Sequence, residues 1–124
     1  MKALHTKSAP AAIGPYSQAI EVNGFVFASG QIPIDPATGE FVEGGIKEQP
    51  RQALTNAAHI MAEAGIDLSH VVKTTVFLAY MNDFAEMNKV YGEYFAQPFP
   101  ARSAVQLAKL PKGAPLEIEC IAVK

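Results

Sequence analysis

Arg102 and Glu117 carry the most chemistry that this chain can offer. A guanidinium is planar and presents its donors as a fork, so it can grip a carboxylate through two parallel hydrogen bonds. A carboxylate can activate water or trade protons with a nitrogen base, best where partial burial raises its pKa. Each has a plainer reading: Arg102 in a surface or interface salt bridge, Glu117 as a strand-edge charge paired with Lys109. Glu119, two residues on, shares a strand face with Glu117 and competes for its role. Tyr16 offers a phenol, or is simply a half-buried strand aromatic. Ser29 and Gly30 close a strand, where backbone can approach a ligand, or they only turn the chain. Asn88 lies on an apolar helix stripe, where a buried amide needs partners; it bonds loop backbone or also lines a cleft.

Other chemistry is missing. His5, His59 and His70 lack metal-ligand spacing. No phosphate loop, Ser-His-Asp order or zinc pattern occurs. The single cysteine, Cys120, excludes an internal disulfide and fits a reducing cytoplasm. It alternates with Ile118 and Ala122, which makes it a core residue.

The elements that must position these groups follow from pattern. The chain has 124 residues, 49% of them hydrophobic, which suits one domain over residues 1–124. Ten Lys and Arg against twelve Asp and Glu leave a net charge of −2, with no basic footprint for nucleic acid. The apolar runs are too short to span a bilayer, and Met1–Lys7 lacks the apolar core of a signal peptide.

Residues 1–15 read as irregular. Tyr16–Val22 and Phe25–Ser29 read as strands joined by Asn23-Gly24, a strong hairpin signal. The second stops at Gly30, and Glu40–Val42 adds a short edge strand. Ala53, Leu54, Ala57, Ile60, Met61 and Ala64 predict a helix over 47–64, with Pro50 in its first turn. Residues 71–79 form a strand whose even positions, Val72, Thr74, Val76 and Leu78, face the helices. A second helix opens at Asp83, with Glu86 as its capping-box partner, and ends before Pro98.

Arg102–Leu110 and Leu116–Val123 then read as strands of a terminal hairpin turning at Pro111–Pro115. That hairpin holds Arg102 and Glu117 roughly 24 Å apart, at ~3.4 Å per residue. If they share a site, they come from different copies of the chain. Two helices can cover only one face of a five- to six-stranded mixed sheet. The fold is therefore an α+β two-layer sandwich, and the other face invites self-association.

Five segments in order resemble the RidA family (YjgF/YER057c/UK114). They are Gly14-Pro15-Tyr16-Ser17-Gln18-Ala19, Ser29-Gly30-Gln31-Ile32-Pro33, Val72–Phe77, Asn82 through Tyr91, and Pro100-Ala101-Arg102-Ser103 with Leu116-Glu117-Ile118. The resemblance spans nearly the whole chain. It implies a chorismate-mutase-like homotrimer with clefts between subunits. It also implies a cytoplasmic hydrolase that deaminates 2-imino acids and their enamine tautomers, 2-iminobutanoate and 2-iminopropanoate, without cofactor or metal. In that reading Glu117, Tyr16 and Arg102 are catalytic, and Arg102, Ser29, Gly30, Ala104 and Asn88 bind substrate. Ala104 departs from the cysteine that many members carry there, so no thiol acts at that position. A non-enzymatic module that binds small carboxylates is the alternative. Older descriptions of family members as ribonucleases fit poorly with the acidic balance.

Overall fold

A computed structural model describes residues 1–124. The largest sheet is six-stranded and mixed. Its strands are β1 (Lys2–Leu4), β2 (Ala19–Val22), β3 (Phe25–Gln31), β6 (Val71–Leu78), β7 (Ala101–Gln106) and β8 (Leu116–Val123), in the spatial order β1-β2-β3-β8-β6-β7. The remaining strands, β4 (Ile34–Asp35) and β5 (Glu40–Phe41), pair with each other as a separate ribbon. Helices α1 (Glu48–Glu63) and α2 (Phe84–Tyr94) pack on one face of the sheet.

The β2–β3 hairpin forms as its turn chemistry dictates. Asn23 has φ 51° and Gly24 φ 80°, the paired left-handed geometry that matches strand twist. Pro50 and the stripe Ala53, Leu54, Ala57, Ile60 and Met61 of α1 are buried. The stripe packs against Val26, Val76, Leu78, Leu116 and Ile118 from the sheet and Met87 from α2. Each large side chain so buried contributes roughly 1.5–3 kcal/mol.

Five local expectations are corrected. Residues 1–15 are not wholly irregular, because Lys2–Leu4 adds an edge strand on β2. The strand expected over Tyr16–Val22 starts at Ala19, since Gln18 is occupied in holding the N-terminal segment. Gly30 does not end β3, which runs on to Gln31 through an irregularity between Ala28 and Gln31. Val72 faces away from the helices, because a register shift between Val71 and Lys73 turns Val71 inward in its place. Asp83 makes no side-chain cap. It closes a 3₁₀ turn over Met81–Asp83 with helical dihedrals of its own, and Glu86 pairs with Lys89 instead.

The terminal hairpin is overturned. β7 pairs in parallel with β6, with Arg102 opposite Thr74, and β8 lies on the other side of β6, between it and β3. The first strand also ends at Gln106 rather than Leu110. The reason is the crossover: β6, α2 and β7 form a βαβ unit, which requires parallel strands. The segment 107–115 then carries the chain back past the end of β6. Leu107 donates its amide to Leu78 at 2.9 Å, and Ala79 donates to Pro115 at 2.9 Å, which leads β8 into the vacant side of β6.

The face away from the helices is open and largely apolar. Phe25, Phe27 and Val105 are 42%, 43% and 40% exposed, and Ile121 and Phe77 lie beside them by strand alternation.

Candidate active site

Glu117 enters β8 opposite Phe77, on the open face of the sheet. Its neighbour across the bulge is Gly30. A Cβ built on Gly30 would lie 2.6 Å from Glu117 Cδ and 2.7 Å from Cγ, so only glycine admits the carboxylate here. Tyr16, Ser29, Gly30, Ile32, Lys112 and Glu117 line one cleft of about 490 Å³. Glu119 is exposed, outside this lining. Burial raises the Glu117 pKa above the ordinary carboxylate value, and the Glu119 charge on the same face adds to the rise.

The cleft wall depends on two buried amides that pattern alone did not single out. Gln18 is 2% exposed; its Nε2 donates to Thr6 O at 3.0 Å and Pro10 O at 2.8 Å, while its Oε1 accepts from Thr6 N at 2.7 Å. It thereby lashes residues 6–10 along the cleft. Asn56, on the buried face of α1, donates from Nδ2 to Ile34 O at 2.9 Å and accepts from Gln52 at 2.8 Å, which fixes the segment after Gly30. The signal for Asn56 was present: an amide among Ala53, Leu54, Ala57 and Ile60 at helical spacing needs partners. Ser29 turns its hydroxyl to Ser17 O at 2.6 Å and its amide to Gln18 O at 2.9 Å, so its polar groups hold the wall. Tyr16 is 55% exposed at the rim, ahead of β2 rather than within a strand.

Arg102 lies elsewhere. It is paired with Thr74, so it points to the helix side of the edge strand β7. Its Nη1 donates to Asn88 Oδ1 at 2.7 Å, and its Cζ sits 4.7 Å from the Tyr91 ring centroid and 5.3 Å from that of Phe84. Asn88 is thus exposed and bonds a side chain, which replaces the expected loop-backbone bond. Ala104, half-buried opposite Val76, shares the Arg102 side of β7. No acidic side chain of the same chain pairs with Arg102.

The expected residues therefore fall into two groups. Tyr16, Ser29, Gly30 and Glu117 share a cleft; Arg102, Asn88 and Ala104 share the far edge. Between Arg102 and Glu117 stand two strand spacings and three residues of register, roughly 14 Å between Cα atoms, with the side chains on opposite faces. The separation differs from the 24 Å of the abandoned hairpin, yet a single chain still keeps the two apart. One group can supply a proton acceptor and ordered water, the other a fixed cation for a carboxylate. Outside both groups, Cys120 is buried and its thiol pushed up to about 12, which leaves it inert.

Two helices on one face of a mixed six-stranded sheet, with an acid in a cleft and an unpaired arginine at the far edge, define an α+β protein of the RidA type. Residues 6–124 match the family model described as Endoribonuclease L-PSP, and the chain belongs to that family, the YjgF/RidA family. It is 54% identical over 123 residues to the 2-iminobutanoate/2-iminopropanoate deaminase of Bos taurus, covering 99% of this chain and 90% of that protein. A Yersinia pestis protein of the Rid family superposes with a TM-score of 0.96 at 49% identity, over 99% of this chain and 98% of the other. Escherichia coli TdcF, solved with bound serine, superposes with a TM-score of 0.95 at 44% identity, over 100% and 99%. No helix is long and apolar enough to cross a membrane.

Proposed function

We propose that this chain hydrolyses 2-imino acids, 2-iminobutanoate and 2-iminopropanoate, to 2-oxo acids and ammonia in the cytoplasm, as a homotrimer. The observation that carries the reading is the split constellation: an unpaired, preset Arg102 on the edge strand and a half-buried Glu117 in a cleft on the opposite face of the sheet. The open apolar face supports association of copies, which would bring the Arg102 edge of one to the Glu117 cleft of the next. The deaminase named in Bos taurus, at 54% identity, supports the choice of substrate.

In this mechanism Arg102 clamps the substrate carboxylate, with Asn88 and the backbone near Ala104 beside it. The backbone at Ser29 and Gly30 bounds the other side, and Tyr16 orients water at the rim. Glu117 takes a proton from that water as its oxygen bonds to the imine carbon and the C=N pair moves to nitrogen. Glu117 hands that proton to the nitrogen, giving a carbinolamine. It then takes the hydroxyl proton and passes it to the amine, so the C–N bond breaks and ammonia leaves as the C=O bond forms. No electrons change hands, so the reaction calls for no redox cofactor. Free imines already hydrolyse in water, so orientation and a group that shuttles protons from water to nitrogen meet the demand. Ala104 is tolerated because no step needs a thiol.

The test is to generate the imine with threonine dehydratase and follow the decay of its absorbance with and without this protein. Faster decay, abolished in Arg102→Ala, is the expected result. Unchanged decay with a folded assembly would remove the reading. The small-carboxylate binding module remains as a second reading, favoured by the serine held in TdcF; it predicts that Glu117→Ala leaves function intact. Nucleic acid fits less well with a net charge of −2.

A pH prediction follows from Glu119. Its negative charge helps to raise the Glu117 pKa, so Glu119→Gln lowers it. The ionised Glu117 is the active form, so the acid limb of kcat should move to lower pH in Glu119→Gln. A pH–rate profile with an unmoved limb would show that another group sets it.

A further inference from the structure

We infer that Phe84 and Tyr91 are positioning residues: together they form an aromatic shelf on which the Arg102 guanidinium is stacked so that its free edge presents to a small 2-oxo or 2-imino carboxylate. The inference rests on the reading above that Arg102 holds a carboxylate, and it assigns the selectivity for that group to residues that never touch it.

The geometry is specific. The guanidinium carbon lies 4.7 Å from the Tyr91 centroid and 5.3 Å from that of Phe84, within the range of cation–π attraction. The residues stand seven apart on α2, so both rings lie along one stripe of the helix. Asn88, between them, accepts the hydrogen bond from Nη1 at 2.7 Å and fixes rotation of the ion on the shelf. Tyr91 is itself held firmly: its hydroxyl bonds Thr74 Oγ1 at 2.7 Å, and its ring packs 4.6 Å from that of Phe95. Thr74 is also the strand partner of Arg102, so the same pair of strands fixes both the base of the shelf and the root of the arginine. A guanidinium has five N–H groups, and the donor to Asn88 uses one. With no acid of its own chain beside it, the rest are unclaimed. A flexible arginine in water would lose much rotamer freedom on gripping a carboxylate; here the packing has removed that freedom in advance.

Calorimetric titration of the folded assembly with 2-oxobutanoate, and with its neutral carboxamide as control, tests this. Phe84→Leu and Tyr91→Leu should each weaken 2-oxobutanoate about tenfold and leave the carboxamide within about twofold, because only the charged ligand depends on a preset cation. Tyr91→Phe keeps the ring and should stay within about threefold of the parent for both ligands. Phe84 is only half-buried, so Phe84→Leu carries the test if Tyr91→Leu fails to fold. A parent that prefers the carboxylate, with shelf variants that keep that preference or lose both ligands equally, would overturn the shelf alone. A parent that binds carboxylate and carboxamide alike would overturn the carboxylate role of Arg102 and the shelf with it.

Discussion

Arg102→Ala should lower kcat/KM for imine hydrolysis about 10²–10³-fold, equivalent to about 3–4 kcal/mol, with most of the loss in KM. The carboxylate does not react, so a clamp on it binds ground state and transition state alike, and its removal raises KM more than it lowers kcat. Part of the loss is orientational and will appear in kcat, since a loosely held imine presents its carbon to water less often. Arg102→Lys should recover little. A point charge on a flexible stem cannot lie flat on the Tyr91 and Phe84 rings while bonding Asn88 and a carboxylate together. The fold should survive either change, because Arg102 makes no ion pair in the chain and stands on an edge strand. Steady-state kinetics with the parent and both variants, beside a thermal melt of each, checks this. An Arg102→Ala enzyme with parental KM would remove the clamp.

Glu117→Gln should act on the other parameter. Loss of a positioned base costs about 10²–10⁴ in rate, and here it should fall on kcat with KM nearly unchanged. Gln keeps the shape that Gly30 accommodates, so the cleft is preserved while the proton acceptor is lost. Stability separates this from unfolding. The folded pKa of Glu117 is raised, so the native state holds its proton to higher pH than the unfolded chain does. Ionising it therefore costs stability as pH rises through that window. Glu117→Gln removes this cost and should melt at or above the parental temperature at neutral pH. A variant with near-parental kcat would favour the binding module instead.

The sequence disclosed some of this architecture and hid the rest for physical reasons. Local chemistry was legible: Asn23-Gly24 specified its hairpin, and the α1 stripe specified its buried face. The partner of β7 was not. Period-two alternation says that a strand exists, and nothing in it says which strand lies alongside. The crossover through α2 decides that, and it converted an expected hairpin into a parallel pair. The register shift at Val71–Lys73 was invisible for a related reason, since one extra residue reverses which side chains face in.

At the site, Arg102 and Glu117 stood out because few residue types do such chemistry. Their supports did not. Gln18 looked like one polar residue in a motif until its bonds to Thr6 and Pro10 placed it under the cleft wall. Phe84 and Tyr91 belong to the apolar helix stripe that carries Asn88, and only the position of the Arg102 guanidinium gives them a second use.

The central claim is that a complete site takes Arg102 from one copy and Glu117 from another. Mixing tests it most directly. Arg102→Ala and Glu117→Gln chains, each nearly inactive alone, are unfolded together, refolded into mixed assemblies and assayed for imine hydrolysis. With random assembly, about a quarter of the interfaces join an intact Arg102 to an intact Glu117, so about a quarter of parental activity should return. Activity that stays at the level of the separate variants, in assemblies shown to contain both chains, would contradict the shared site.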